Sequence, residues 1–252
     1  PIWGLGQYRP GEFSEFLAEH LSVSASEISF WDIALFDLTP ASLLGHDQSL
    51  LASGRLDNQV SCWAATEGLI AASSSELSGD TASVIALFDH EEVGSESTHG
   101  ASGPRLAWLL EALHQGTRTE FHEALSRSHC ISADNAHALH PNYPDRHEPA
   151  YRPMPNLGPV LKVNANQRYA TSPESAAVFL RTCDLAGVPH QVFVSKNTMP
   201  CGSTIGPITS TQLGIPTVDV GVAQLSMHSA RELCGANDPA LLAQVIVRYF
   251  AA

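Results

Sequence analysis

Val84-Ile-Ala-Leu-Phe-Asp-His-Glu-Glu-Val-Gly-Ser95 is the stretch on which the reading of this chain turns. Val84 to Phe88 is a short apolar run of the kind that forms a buried strand. It ends in four ionisable side chains, Asp89, His90, Glu91 and Glu92, with Gly94 close behind. Crowded carboxylates repel, and burying them is costly unless a cation or hydrogen bonds compensate. A divalent metal is the simplest compensation. Two adjacent glutamates then divide the work: one ligates the ion and its neighbour takes a proton from the attacking water. The alternative reading is a solvated acidic turn after a strand.

Working outward, similar groups recur at strand ends and helix starts. Ser53-Gly-Arg-Leu-Asp-Asn58 is a turn feeding an apolar helix from about Val60 to Ala72. Asp57, just ahead of that helix, reads as an N-cap or as a metal ligand. Cys130-Ile-Ser-Ala-Asp-Asn-Ala-His137 repeats the pattern, a short apolar approach followed by Asp134 and His137. Thr217–Val222 reads as a strand, with His228 soon after it. Gly158–Asn164 is an apolar strand with Lys162 embedded; the lysine either snorkels to solvent or faces an anionic group in a site. The ordinary reading of His137 and His140 is surface histidine, and His147 and Glu148, in the Pro-rich loop 140–149, are read that way. Asp57, Glu92, Asp134 and His228 are the candidate ligands. Carboxylates with imidazole suit zinc, manganese or cobalt. An Asp shared by two ions supports a pair roughly 3.5–4 Å apart.

The rest of the chain supplies the frame. Residues 12–21 have helical spacing (Phe13, Phe16, Leu17, Leu21), and Phe30–Asp37 alternates like a strand. Helices are expected over Leu106–His114 and Thr119–Ser128. Another starts at Ser172-Pro-Glu174 and stops at Gly187. His190–Ser195 is a strand. Met199–Pro207 is a Gly-rich turn into a helix that lacks the ending of a phosphate-binding loop, although its helix N-terminus could hold a carboxylate. An amphipathic helix, Pro239–Phe250, closes the chain. Strands alternating with helices from about residue 49 onward predict an α/β domain whose ligands gather along one edge of the sheet.

Bulk properties bound the partners. The 252 residues are 44% hydrophobic and 15% charged, enough for a real core. A formal net charge of −13 argues against nucleic acid or an anionic membrane as partner. No apolar run approaches the roughly 20 residues that span a bilayer, and no signal peptide opens the chain. Five scattered cysteines without a CxxC pair read as reduced thiols of a cytoplasmic protein. Pro1–Pro10 has neither an initiator Met nor the pattern of a domain opening, as at a fragment boundary or a processed end.

Ser53–Asn58, Phe88–Ser95, Ser132–His137, His140–Pro144, Lys162–Thr171, Met199–Pro207 and Met227–Ser229, in this order, resemble the motifs of the aspartyl aminopeptidase family, the M18 metallopeptidases. The resemblance implies a three-layer α/β/α sandwich of a co-catalytic zinc exopeptidase. Residues 1–48 would be the end of an inserted, mostly β dimerisation domain, and residues 49–252 the catalytic domain. The implied activity is release of one N-terminal residue, preferably Asp or Glu, by metal-activated water. Two divalent ions are implied, zinc first, cobalt or manganese as alternatives. Asp57 would bridge them, Glu92, Asp134 and His228 would complete the ligands on this chain, and Glu91 would be the general base. His137, Lys162 and Tyr169 match positions that contact substrate. The family assembles into tetrahedral homododecamers. One departure stands out. The family's remaining metal ligand is a histidine in a His-x-Asp motif ahead of the inserted domain. Here only His20 and His46 precede Asp57, and neither is in such a motif. A substrate-contacting histidine lent by the inserted domain is absent too. The chain thus resembles the C-terminal part of the family, lacking the N-terminal segment. The rival readings are a non-catalytic subunit that keeps fold and assembly contacts, and a two-metal hydrolase of acyl-amino acids or dipeptides.

Overall fold

The computed structural model describes residues 6–7, 9–73 and 81–251; Pro1–Leu5 lies outside them. Two compact units divide between Leu38 and Thr39.

The first unit holds helix α1 (Glu12–Leu21) and a single 3-10 turn at Ala25–Glu27, closed by a Ser24/Glu27 capping box. The Phe13 ring lies 6.1 Å from Phe16 and 5.8 Å from Trp31. The strand expected over Phe30–Asp37 does not form: residues 28–40 carry no regular element, and Phe30, Leu35 and Leu38 are more than 70% exposed. Alternation marks a segment as fit for a sheet, but the ladder needs a neighbour, and among the described residues of this unit there is no strand to pair with it.

The second unit is an α/β sandwich. Its strands are β1 (Ser42–Leu44), β2 (Leu50–Ser53), β3 (Cys130–Ala133), β4 (Ala136–His137), β5 (Val160–Val163), β6 (Gln191–Val194), β7 (Thr217–Gly221), β8 (Ala223–Leu225) and β9 (Glu232–Gly235). Its helices are α2 (Leu56–Ser73), α3 (Arg105–Leu113), α4 (Arg118–Arg127), α5 (Pro173–Ala186), α6 (Ile205–Leu213) and α7 (Asp238–Phe250). One sheet has the order β3-β7-β5-β6, the other β1-β2-β9-β8-β4. They share a seam. β3 continues into β4 through Asp134-Asn135, alongside β7 continuing into β8. The Asp134 N–H donates to the Val220 carbonyl and the Ala136 N–H to that of Val222, both at 2.9 Å.

Side-chain alternation sorts the layers. Val218, Val220 and Val222 join Phe179, Leu242, Val245 and Ile246 in the main core under α2, α5 and α7. Gly68 allows α2 to lie against α7, since a Cβ there would meet Ile246 Cγ2 at 2.5 Å. Asp219, on the other face of β7, is wholly buried toward α6. It accepts from Ser132 Oγ (2.7 Å), Thr204 Oγ1 (2.5 Å) and the Ala170 N–H (2.6 Å). Gly206, in the first turn of α6, sits so close that any Cβ would overlap this carboxylate. Phe121, Leu125, Leu213 and Ile215 make a smaller core between α4 and α6. α5 begins and ends where the sequence predicts, with Ser172 accepting from the Ser175 N–H and Gly187 in the left-handed region. No helix among the described residues is long and apolar enough to cross a membrane.

Two expectations fail here. Val84–Phe88 is not a buried strand: residues 81–88 carry no regular structure, Val84 is 36% exposed and Leu87 58%. Among the described residues no strand pairs with it, and only Ile85 and Phe88 of its apolar residues are partly buried. His147 is not a surface residue but buried, its ring edge-on to Phe193 at 6.0 Å and its Nε2 3.3 Å from the His137 carbonyl.

Candidate metal centre

The acidic doublet stands on a 3-10 turn, Glu91–Val93, entered by His90 and left by Gly94, both in the left-handed region. Asp57 arrives at the start of α2, where its backbone and that of Asn58 are not helical. It does not cap the helix. Asp134 sits at the seam, and His228 in the loop between β8 and β9.

Three of the expected ligands converge. Asp57, Glu92 and His228 each present a donor atom within 4.8 Å of the others. His228 Nε2 is 2.9 Å from Glu92 Oε2 and 3.3 Å from Asp57 Oδ2. Asp57's side chain is only 4% exposed, and its Oδ1 is buried without a hydrogen-bond partner. A buried carboxylate oxygen with no donor is costly, and a cation is what such an oxygen lacks. The Asp134 carboxylate is near enough to Asp57's to interact with it directly. No third carboxylate, imidazole or thiolate among the described residues joins those two in a comparable group.

The frame around Asp57 is stiff. Asn58 Nδ2 donates to the Ala133 carbonyl (2.7 Å), Asn135 Nδ2 to the Leu56 carbonyl (2.9 Å), and Asp57's own N–H to Glu232 Oε2 (2.7 Å). Asn135 also donates to Gln224 Oε1, locking the seam to β8. Glu232, Asn58 and Asn135 were not singled out from the sequence. A glutamate four residues after His228, in the apolar Glu-Leu-Cys-Gly stretch, is the one signal that could have found Glu232.

Charge is unbalanced. Asp57, Glu91, Glu92, Asp134 and Glu232 face one ammonium. Lys162 is buried and donates from Nζ to Asp134 Oδ2 (3.1 Å) and to the Asn135 carbonyl (3.2 Å), 5.1 Å from the centre of the Tyr169 ring. Lys162 therefore does not snorkel to solvent. Burial, then the nearby Asp134 and Glu92, pushes Asp57 up to about 8. Burial, then the same two carboxylates, pushes Glu91 up to about 7, against the pull of Lys162 and His228. His137 is held below the ordinary imidazole value by burial and then by His147. Burial, then Cys201, raises the Tyr169 phenol.

Carboxylates and an imidazole, gathered around an orphaned buried oxygen, are the kind of group that can hold a divalent metal ion. The family described as Aminopeptidase I zinc metalloprotease (M18) matches residues 6–250. The chain belongs to this M18 family. A Streptomyces coelicolor relative, a probable M18 family aminopeptidase 2, is 46% identical over 253 residues, covering 99% of this chain and 59% of the relative. Among solved structures, a chain of the Ape4 and Nbr1 complex superposes with a TM-score of 0.88 at 35% identity, covering 97% of this chain and 49% of that one. The dodecamer of mApe1 from S. cerevesiae gives 0.82 at 29% identity, covering 94% and 54%. The chain thus spans about 59% of the length of the curated relative it matches.

Proposed function

We propose that this chain carries the catalytic part of a metal-dependent aminopeptidase that releases one N-terminal residue, preferably Asp or Glu, from peptides. The observation that carries the reading is the Asp57–Glu92–His228 cluster with Glu91 on the same turn. Asp57, Glu92 and His228 would hold one divalent ion, zinc first. Asp134, sharing Asp57, would contribute to a second. When bound, such ions polarise the scissile carbonyl and acidify water. Glu91, pushed up to about 7, accepts the proton from the attacking water and returns it to the leaving amine. Lys162 holds the Asp134 carboxylate in place. Two of its three donors are engaged, which leaves one N–H for an acidic substrate side chain or a carbonyl. Tyr169 and His137 stand beside it as the remaining substrate contacts. Residues 1–48 would end the inserted dimerisation domain and 49–252 form the catalytic one. Self-association into a tetrahedral homododecamer in the cytoplasm completes the proposal, supported by the mApe1 likeness.

The test is hydrolysis of Asp-, Glu-, Leu- and Lys-anilides before and after chelation and zinc return. Chelator-sensitive cleavage favouring Asp and Glu is expected, with Glu91→Gln losing at least about 100-fold in turnover, in line with removal of a general base, while still binding zinc. Retained turnover in Glu91→Gln would remove Glu91 from its role. A second reading, a non-catalytic subunit, is favoured by one observation: the Asp57–Asp134 pair has no third donor among the described residues. One zinc per chain with no cleavage of any anilide would decide for it.

A further inference from the structure

Glu232 is 2% exposed, yet its carboxylate bonds no side chain of the centre. Instead it accepts the Asp57 N–H at Oε2 and the His228 N–H at Oε1, both at 2.7 Å. The two amides come from segments far apart in the chain, and each belongs to the residue whose side chain enters the metal cluster. His228 holds φ at +65°, a region non-glycine residues seldom occupy without something to fix them. Asp57 sits in a non-helical conformation where α2 begins. One buried carboxylate thus spans both backbones, whose side chains approach to 3.3 Å between His228 Nε2 and Asp57 Oδ2.

We propose that Glu232 is a positioning residue for the metal centre: its single carboxylate clamps the backbones that carry Asp57 and His228, and its charge adds to the field that draws the cation. This rests on the proposed metal site. Charge-assisted bonds to backbone amides are the strong kind, and partners outside the ligand set govern metal affinity by orienting the ligands. A glutamine at this position has the same shape but only one accepting oxygen, so it keeps one clamp and loses the charge.

Chelator-stripped wild type, Glu232→Gln and Asp238→Asn are titrated with zinc against a chromophoric chelator and with cobalt by visible absorption. Asp238 is the control, because it is a buried carboxylate that holds the Asn156 and Gly158 amides at 2.6 and 3.1 Å, away from the centre. Glu232→Gln is expected to bind zinc roughly 10- to 100-fold more weakly, with an altered cobalt spectrum. Asp238→Asn should match wild type in both. Wild type that binds neither metal overturns the metal site itself. Wild type that binds while Glu232→Gln binds equally, with the same cobalt spectrum, overturns only the clamp. If Glu232→Gln does not fold, amide exchange in the wild type decides. The Asp57 and His228 N–H groups should exchange slowly and resonate downfield; fast exchange at both refutes the clamp.

Discussion

Metal-free protein should become less stable as pH rises, and Asp57→Asn should remove a large part of that dependence. The carboxyl titrates near 3.8 in an unfolded chain but is pushed up to about 8 when folded, by burial first and then by Asp134 and Glu92. A raised acid pKa means the folded state keeps a proton that the unfolded chain has released. Between about pH 4 and pH 8 the folded form therefore binds one more proton, and stability falls with increasing pH at about 1.4 kcal/mol per pH unit. Over the whole window the loss is roughly 5 kcal/mol, a large part of a domain's margin. Glu91, pushed up to about 7, steepens the slope below neutrality. Asparagine cannot ionise, and its N–H can donate to Asp134. The assay is urea unfolding of chelator-treated protein from pH 5 to 8.5. Asp57→Asn is expected to lose about one proton's worth of slope and to exceed wild type at pH 8.5 by a few kcal/mol, while losing zinc binding. Zinc should flatten the wild-type curve and leave the variant unchanged. Equal slopes for the two metal-free proteins would refute the account of a desolvated, crowded Asp57.

Lys162→Met strips the Asp134 carboxylate of a buried ammonium 3.1 Å away, so metal-free stability should fall by about 3–5 kcal/mol in urea, with zinc restoring part of it. Gly206→Ala places a methyl on the Asp219 carboxylate and pushes α6 from β7; thermal unfolding should report about 1–3 kcal/mol lost.

Much of the frame was legible because its cause is local. Ser172-Pro173-Glu174 and Gly187 mark the ends of α5 through capping chemistry that needs only neighbours in sequence. The adjacency of Glu91 and Glu92 marked the acidic doublet, and the structure brings Glu92 to Asp57 and His228. The short strands β1, β2, β4, β8 and β9 were not legible; with two to four residues each, they exist through pairing rather than periodicity. The Val84–Phe88 run shows the reverse failure, an apolar pattern without a partner strand among the described residues. His147 looked like a surface histidine because its loop is polar, yet the loop folds it onto Phe193.

The sequence by itself determined which groups are the candidates for the chemistry: carboxylates at Asp57, Glu91, Glu92 and Asp134, an imidazole at His228, and a lysine where a strand should be apolar. Tertiary structure decided what those groups experience. Only the seam between the sheets sets Lys162 against Asp134. Only burial leaves Asp57 Oδ1 without a donor, and only the meeting of β9 with α2 gives Glu232 two amides to hold. The physical reason is that residue identity sets what a group can donate, accept or bind, while desolvation and partner distance depend on segments the chain brings together from afar.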